Sequence, residues 1–486
     1  MSTLERRSAD RIMEDLYATA PSAEVPGLRT FGYGWAEEGH SSGERSPARF
    51  CVVLTGLGRL AERVIRLGDR LAMPDDRGRS SPHRTIEAFG FCRGVARTSL
   101  TNRLLSSSSK TSMRKLLCVA ALLCSFSSFA QEVEVDLSAC RGMLGVLRDM
   151  RAHKPRERVV RELDALLDTR AYRMMFRHYN RSWRPNHLPP EVFQRMILSL
   201  GYDGQYAAGE NERADAMRVH WKRAYDDLPA YEKKLRRLEH ANLHKLVRDG
   251  VRYAQTWLPP GWTIPSSYLA IAPNGGSPGF TIDGTQGYDF LQLPDDLQWL
   301  VGTIAHESHH LGMRSTEPEE LTQRESLAYR VLTLTMAEGI ATKFISGPPT
   351  GCVPRLAEVP FDTFNPELKN AWAKRVEDED ESMHRLATSL DQALSGELTN
   401  EALDRDFREY WLSGTISRAY VAGSDLFGAI YVAFGKEGLF RVMLDPRLTF
   451  SMYNAAIDAK QDVLARCVRV PEKTAQQALG IGGNKP

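Results

Sequence analysis

Through residues 141–177 leucine and valine recur every three to four positions, as in VVRELDALLDTRAYRMMF, and this spacing predicts amphipathic helices. Segments 190–201 and 211–256 repeat the pattern with densely charged opposite faces. LPPGWTIP then breaks the helical run, because proline removes a backbone donor and crowds the preceding turn. SYLAIAP and GFTIDG follow as short strands around Asn274-Gly275-Gly276, a turn signal. A new helix opens at Pro294-Asp295-Asp296, which offers an N-cap and acidic first-turn residues at the positive end of the helix dipole. Leu297, Leu300, Val301 and Ile304 fall at i, i+3, i+4 and i+7, a single buried stripe, and Gly312 is placed to end the helix. The expected fold class is mainly α, with a small β-hairpin or sheet beside the helix that follows it.

Composition adds little to that picture. Of 486 residues, 26% are charged and the net charge is +2, an ordinary soluble balance that argues for no nucleic-acid partner. The charges in YEKKLRRLEHANLHKLVRD read as one solvated helix face. The averages do hide a break near residue 113. From Met113 the chain runs MRKLLCVAALLCSFSSFAQEVEVD: two basic residues, an apolar stretch from Leu116 to Phe126, then Ser128-Phe129-Ala130. This is the pattern of a secretory signal peptide over 113–130, cut after Ala130, and its apolar run is shorter than the roughly 20 residues a membrane span needs. The preceding 112 residues carry sixteen arginines against one lysine and no sustained period. They read as a spurious or disordered extension upstream of a true start at Met113; the rival reading is a cytoplasmic domain followed by a signal anchor. The expected organisation is then a helical region over 131–260, a catalytic core over 261–350 and a helical region over 351–486, exported to the periplasm or secreted. Beyond Ala130 the chain keeps Cys140, Cys352 and Cys467, so an oxidising compartment would allow one disulfide and leave one thiol over; sequence does not choose the pair.

The chemistry lies in WLVGTIAHESHHLGM, Trp299 to Met313, which contains H-E-x-x-H at His306, Glu307 and His310. On a helix the two histidines are one turn apart on one face. Two imidazoles so placed can reach one Zn²⁺ at about 2.0–2.1 Å each. Glu307 points too far round to ligate easily, but it can take a proton from a water that zinc has acidified and pass it to a leaving amine. The bland reading is a histidine-rich helix end whose rings cap carbonyls. His309 reads as a packing or supporting residue rather than a ligand.

A catalytic zinc site needs a third protein ligand and an open position. The third histidine of a metzincin would fall at Thr316 and its glycine is out of register, so that class is excluded. Two glutamates remain, Glu325 in QRESLAYR and Glu338 in TMAEGIATKF. They are ~220° apart around a straight helix, so both cannot face one metal, and chain geometry slightly favours Glu325.

HESHH followed by AEGIA resembles the gluzincin, or peptidase-MA-like, pattern of HExxH then E-G-x-A. LAIAPNGGSPGFTIDG resembles the hairpin that precedes the motif helix in a bacterial family of zinc-dependent peptidases. YVAGSDLFGAIYVAFGKEGLFRVMLDPRLTFSMYNAA resembles that family's closing helices. The likeness covers most of 145–460. It implies a gluzincin-like α+β metallopeptidase with His306, His310 and Glu338 as zinc ligands and Glu307 as general base, acting on a peptide or protein. Tyr420, in SRAYVAGSD, is the candidate donor to a tetrahedral oxyanion; its bland reading is a packed core tyrosine. The hairpin from Ser266 to Asp283 could pair with an extended peptide or serve only as scaffold. Two other classes stay open: a helical binding module that keeps the motif without catalysis, and a zinc amidohydrolase acting on a non-protein amide. Oligomeric state and cleavage specificity are not legible.

Overall fold

The computed structural model describes residues 133–483, apart from 182–185, 266–267, 315 and 319. The expected leader and signal peptide lie outside the described residues. Strand β1 (Glu134–Asp136) is followed by helices α1 (Ser138–Arg151), α2 (Arg156–Leu167), α3 (Arg170–Tyr179), α4 (Pro190–Leu198), α5 (Glu212–Asp226), α6 (Leu228–His240) and α7 (Leu243–Gln255). The charged run 211–256 is thus three helices rather than one. Asp227 and Asn242 cap the second and third by accepting hydrogen bonds from the amides of Ala230 and Lys245, and Pro229 sits in the first turn where no donor is needed.

Strands β2 (Tyr268–Ala272), β3 (Gly279–Ile282) and β4 (Thr285–Asp289) complete a four-stranded sheet of order β1-β2-β4-β3. β2 runs parallel to both β1 and β4, while β3 and β4 are antiparallel. The expected pairing of SYLAIAP with GFTIDG is therefore corrected. The hairpin joins β3 to β4 through Asp283-Gly284, both in the left-handed region at φ 48° and 71°, the conformation a two-residue hairpin turn demands. TQGYD takes the central place because its polar groups are satisfied inside the fold. Asp289 accepts from the amides of Asn274, Gly275 and Leu291 at 2.8, 3.0 and 3.0 Å, so Asn274–Gly276 forms a loop clamped by that carboxylate.

The remaining elements are α8 (Leu297–Gly312), α9 (Gln323–Leu334), α10 (Met336–Ala341) running into a π-turn (Thr342–Ser346), α11 (Pro366–Val376), α12 (Glu379–Ser395), α13 (Asn400–Asp406), α14 (Arg418–Leu444, kinked at Gly435), α15 (Thr449–Ala459), α16 (Gln461–Leu464) and α17 (Glu472–Leu479). Mainly α with a small sheet is the fold that the hydrophobic spacing predicts. Among the described residues no helix is long and apolar enough to cross a membrane.

Two hydrophobic cores meet at α8. Leu300 and Ile304 belong to the core built from β1–β4 and α1–α7, whereas Val301 and Ala305 belong to the core built mainly from α9, α10 and α12–α17. Asp296 caps α8 as expected, accepting from the amide of Gln298. Gly250 lets α7 lie close along α8, since a Cβ there would sit 2.8 Å from Ile304 Cγ2. Gly312 has no left-handed role; a Cβ there would lie 2.2 Å from Leu258 Cδ1, so its smallness serves packing. The disulfide joins Cys352 to Cys467 and leaves Cys140 as a buried thiol.

Candidate metal centre

His306 and His310 leave α8 one turn apart, with ring centroids 4.7 Å from each other. Glu338 comes from the first turn of α10, carried there by the packing of α10 on α14. At that crossing a Cβ on Gly339 would lie 2.4 Å from the backbone of Gly423, so only glycines allow the approach. The conspicuous glycine of AEGIA is thus a contact that brings Glu338 to the histidines.

Glu338 Oε2 lies 3.4 Å from His306 Nε2 and 3.3 Å from His310 Nε2. These separations exceed the roughly 2.7–2.9 Å of a charge-assisted hydrogen bond. They match the edge of a tetrahedron whose bonds are about 2.0–2.1 Å, which is roughly 3.3–3.4 Å. Buried Oε2 makes no hydrogen bond of proper geometry among the described residues, although a buried carboxylate oxygen ordinarily finds a donor. Two imidazole nitrogens and one carboxylate oxygen, each turned toward one point, fit a zinc site with a position left for substrate.

The electrostatics agree with that use. Burial alone would raise the Glu338 carboxyl, but the imidazoles of His310 and His306 outweigh it and hold the group well below the usual carboxylate range. Glu307 is buried and moves the other way, raised chiefly by desolvation; the nearby His310 and His306 only partly oppose the shift. The direction of that shift is the one that weakens a carboxylate's hold on its charged state. It lies under Gly279 at the start of β3, where a Cβ would stand 2.8 Å from Glu307 Oε1.

Support comes from both cores. Gln286 Nε2 of β4 donates to Ser308 Oγ at 3.0 Å, tying the sheet to the motif. His309 Nε2 donates to the carbonyl of Trp257 at 3.3 Å, and burial lowers its pKa to about 3, so the ring is a neutral tether. His306 Nδ1 lies 2.9 Å from Ser346 Oγ, a partner that the sequence pattern did not reveal. Tyr420 stands in the first turn of α14, its ring 6.3 Å from that of His306 and packed against the small cluster of Phe364, Trp372, Ile416 and Val421.

Glu325 is elsewhere. Its carboxylate accepts from the amide and hydroxyl of Thr322 at 2.9 and 2.6 Å, closing a capping box at the start of α9, and from the amide of Gly482 at 3.2 Å. The structure brings His306, His310 and Glu338 together, with Glu307 and Tyr420 beside them, and leaves Glu325 at a helix cap.

Residues 163–462, more than half of the chain, match the family described as "Putative zinc dependent peptidase (DUF5700)". No curated protein and no solved structure matches the chain.

Proposed function

The chain belongs to that family of zinc-dependent peptidases, and from this premise we propose that it is an HExxH metallopeptidase of the gluzincin arrangement, holding zinc through His306, His310 and Glu338. The observation that carries the ligand set is the pair of 3.3 and 3.4 Å separations around an oxygen that makes no hydrogen bond of proper geometry among the described residues. When bound, zinc supplies Lewis acidity, polarising a peptide carbonyl and acidifying water. Glu307 takes the proton from the attacking water and returns it to the departing amine. Its desolvated position favours this shuttling, because burial has already weakened its hold on the charged state. Tyr420 donates its phenol proton in a hydrogen bond to the oxyanion that forms. β3 is an edge strand of the sheet and begins at Gly279 on top of Glu307, so an extended peptide added to this edge would pass the general base. Arg181 already donates to the carbonyl of Thr281 at 2.7 Å, which confines that pairing to the Gly279 end.

Export to the periplasm or beyond is part of the same proposal. The signal-like segment at 113–130 supports it, and so does a Cys352–Cys467 disulfide, a bond favoured by oxidising compartments. The test is zinc content by elemental analysis on the full chain, followed by a peptide-library digest beside Glu307→Gln. One zinc per chain in both proteins, with cleavage at least about 10²-fold slower in the variant, is expected. Zinc-loaded protein that cleaves no peptide, or cleaves equally well without Glu307, overturns the catalytic reading.

A further inference from the structure

We propose that Ser346, delivered by the π-turn that ends α10, is the positioning residue for the zinc ligand His306; the inference rests on the zinc reading above. Three observations carry it. First, His306 presents Nε2 to Glu338 and Nδ1 to Ser346 Oγ at 2.9 Å. A ring that ligates through Nε2 carries its proton on Nδ1 and needs an acceptor there to fix tautomer and tilt, a task most often done by a carboxylate or carbonyl. Here a serine hydroxyl oxygen accepts.

Second, the backbone is shaped for this. In a straight α-helix the residue four places after Glu338 stays near its face, about 40° round, while the residue eight places on lies about 80° round. The near position is Thr342, and its hydroxyl is buried with no hydrogen-bond partner among the described residues. The π-turn over Thr342–Ser346 turns less per residue, since each bond spans i to i+5, and so takes back part of the lead that would carry position 346 away from that face. One rod then supplies both the ligand Glu338 and the support for its fellow ligand His306.

Third, Ser346 is held from behind. Its carbonyl accepts from the amide and hydroxyl of Thr363 at 3.0 and 3.1 Å, and the Thr363 carbonyl accepts from Trp299 Nε1 at 3.0 Å. Trp299 and His306 share α8, so the loop closes on itself: α8 to Thr363 to Ser346 and back to α8. Gly347 ends the π-turn at φ 67°, where a Cβ would meet the Phe361 carbonyl at 2.0 Å, so the chain must turn away directly after the serine.

The experiment measures zinc affinity of the full chain by competition with a chromophoric chelator, and the visible absorption of the cobalt(II)-loaded protein. Ser346→Ala should bind zinc about 10- to 100-fold more weakly and shift the cobalt bands. Ser346→Thr should restore affinity to within a few-fold of the parent, and Thr342→Val, which alters a neighbouring buried hydroxyl with no partner, should match the parent in both readouts. Ser346→Cys, close in size but a poorer acceptor, should weaken binding as alanine does and serves should Ser346→Ala fail to fold. Parent-like affinity and spectrum in Ser346→Ala or Ser346→Cys overturns the inference while leaving the zinc site standing. Absence of zinc binding by the parent chain overturns both.

Discussion

Two buried clusters of charged side chains lie within a few residues of each other in this protein, and their difference separates a candidate metal site from an internal ion pair. Both use the segment after Met336 and the helix α14. In the first, Glu338 faces two imidazoles at 3.3 and 3.4 Å and its Oε2 makes no hydrogen bond of proper geometry among the described residues. In the second, Glu379 and Asp425 meet Cys352 at ligand-like spacing, but the sulfur and the Asp425 carboxylate are occupied from within. Asp425 accepts from the amides of Cys352 and Val353 at 2.6 and 3.0 Å and faces Lys343 Nζ at 3.7 Å. Lys343 Nζ donates to the Val353 carbonyl at 3.0 Å, and Cys352 Sγ is spent in the disulfide with Cys467. Each cluster leaves one buried carboxylate oxygen without a hydrogen bond among the described residues, Glu338 Oε2 and Glu379 Oε1; only the first turns that oxygen toward two imidazole nitrogens, whereas the second has its sulfur in a disulfide and Asp425 held by two amides and a lysine.

Metal content should divide the two clusters completely. His310→Ala and Glu338→Gln are expected to purify without zinc, while Asp425→Asn keeps one zinc per chain by elemental analysis. Zinc lost from Asp425→Asn as fully as from His310→Ala, in protein that is still folded by circular dichroism, would break the comparison, because the second cluster would then be part of the metal site.

Stability should divide them in the opposite sense. Lys343 and Asp425 are each 1% exposed, and removing one partner strands the other in a low-dielectric interior. Lys343→Met should cost about 3–5 kcal/mol in urea unfolding of chelator-treated protein. Lys343→Met combined with Asp425→Leu should cost less than the sum of the two single changes, since no charge is left unpaired. Strict additivity would show that the two groups do not act as a pair.

The disulfide comes next. It spans 115 residues of chain, so breaking it frees a long loop in the unfolded state. Cys352→Ser with Cys467→Ser should lower stability by about 2–5 kcal/mol and leave zinc stoichiometry at one. Loss of zinc with preserved fold would instead connect the bridge to the metal centre, through the segment that runs from Ser346 to Cys352.

How much of this was legible depends on how far each feature reaches along the chain. The i, i+4 histidines and the stripe of Leu300, Val301 and Ile304 are local, and periodicity displays them directly. The third candidate ligand is not local: spacing alone leaned to Glu325, and the resemblance to E-G-x-A pointed to Glu338. A local clue was nonetheless present, because Thr322-Gln323-Arg324-Glu325 spells a capping box and the structure forms one. Gly339 matters through Gly423, 84 positions later, a contact no spacing rule reports. β4 escaped notice because TQGYD lacks the apolar alternation of a strand; Gln286 and Asp289 are buried only because Ser308 and the Asn274 loop supply partners. Ser346 was hidden by the π-turn, since ordinary helical spacing would have directed attention to Thr342 instead.

Glu379 offers the smallest and most selective test of the contrast. It opens α12, where the helix dipole favours a negative charge by only about 0.3–1 kcal/mol. Burial dominates, and the adjacent charge and hydrogen bond of Asp425 add to it, so the carboxyl is pushed up to about 9 from an ordinary 4.5. Between those values the folded chain keeps a proton that the unfolded chain has lost. Its contribution to stability is therefore whole below about pH 4.5 and is given up as pH rises toward 9. Glu379→Gln keeps a neutral side chain with a donor for Asp425 and removes the titration. Measured by urea unfolding in the presence of chelator, the variant should fall near the parent at pH 5 and gain on it steadily up to pH 9. A difference between the two proteins that stays constant with pH would mean that Glu379 is ionised in the fold, and that the second cluster holds two carboxylates against the one ammonium of Lys343.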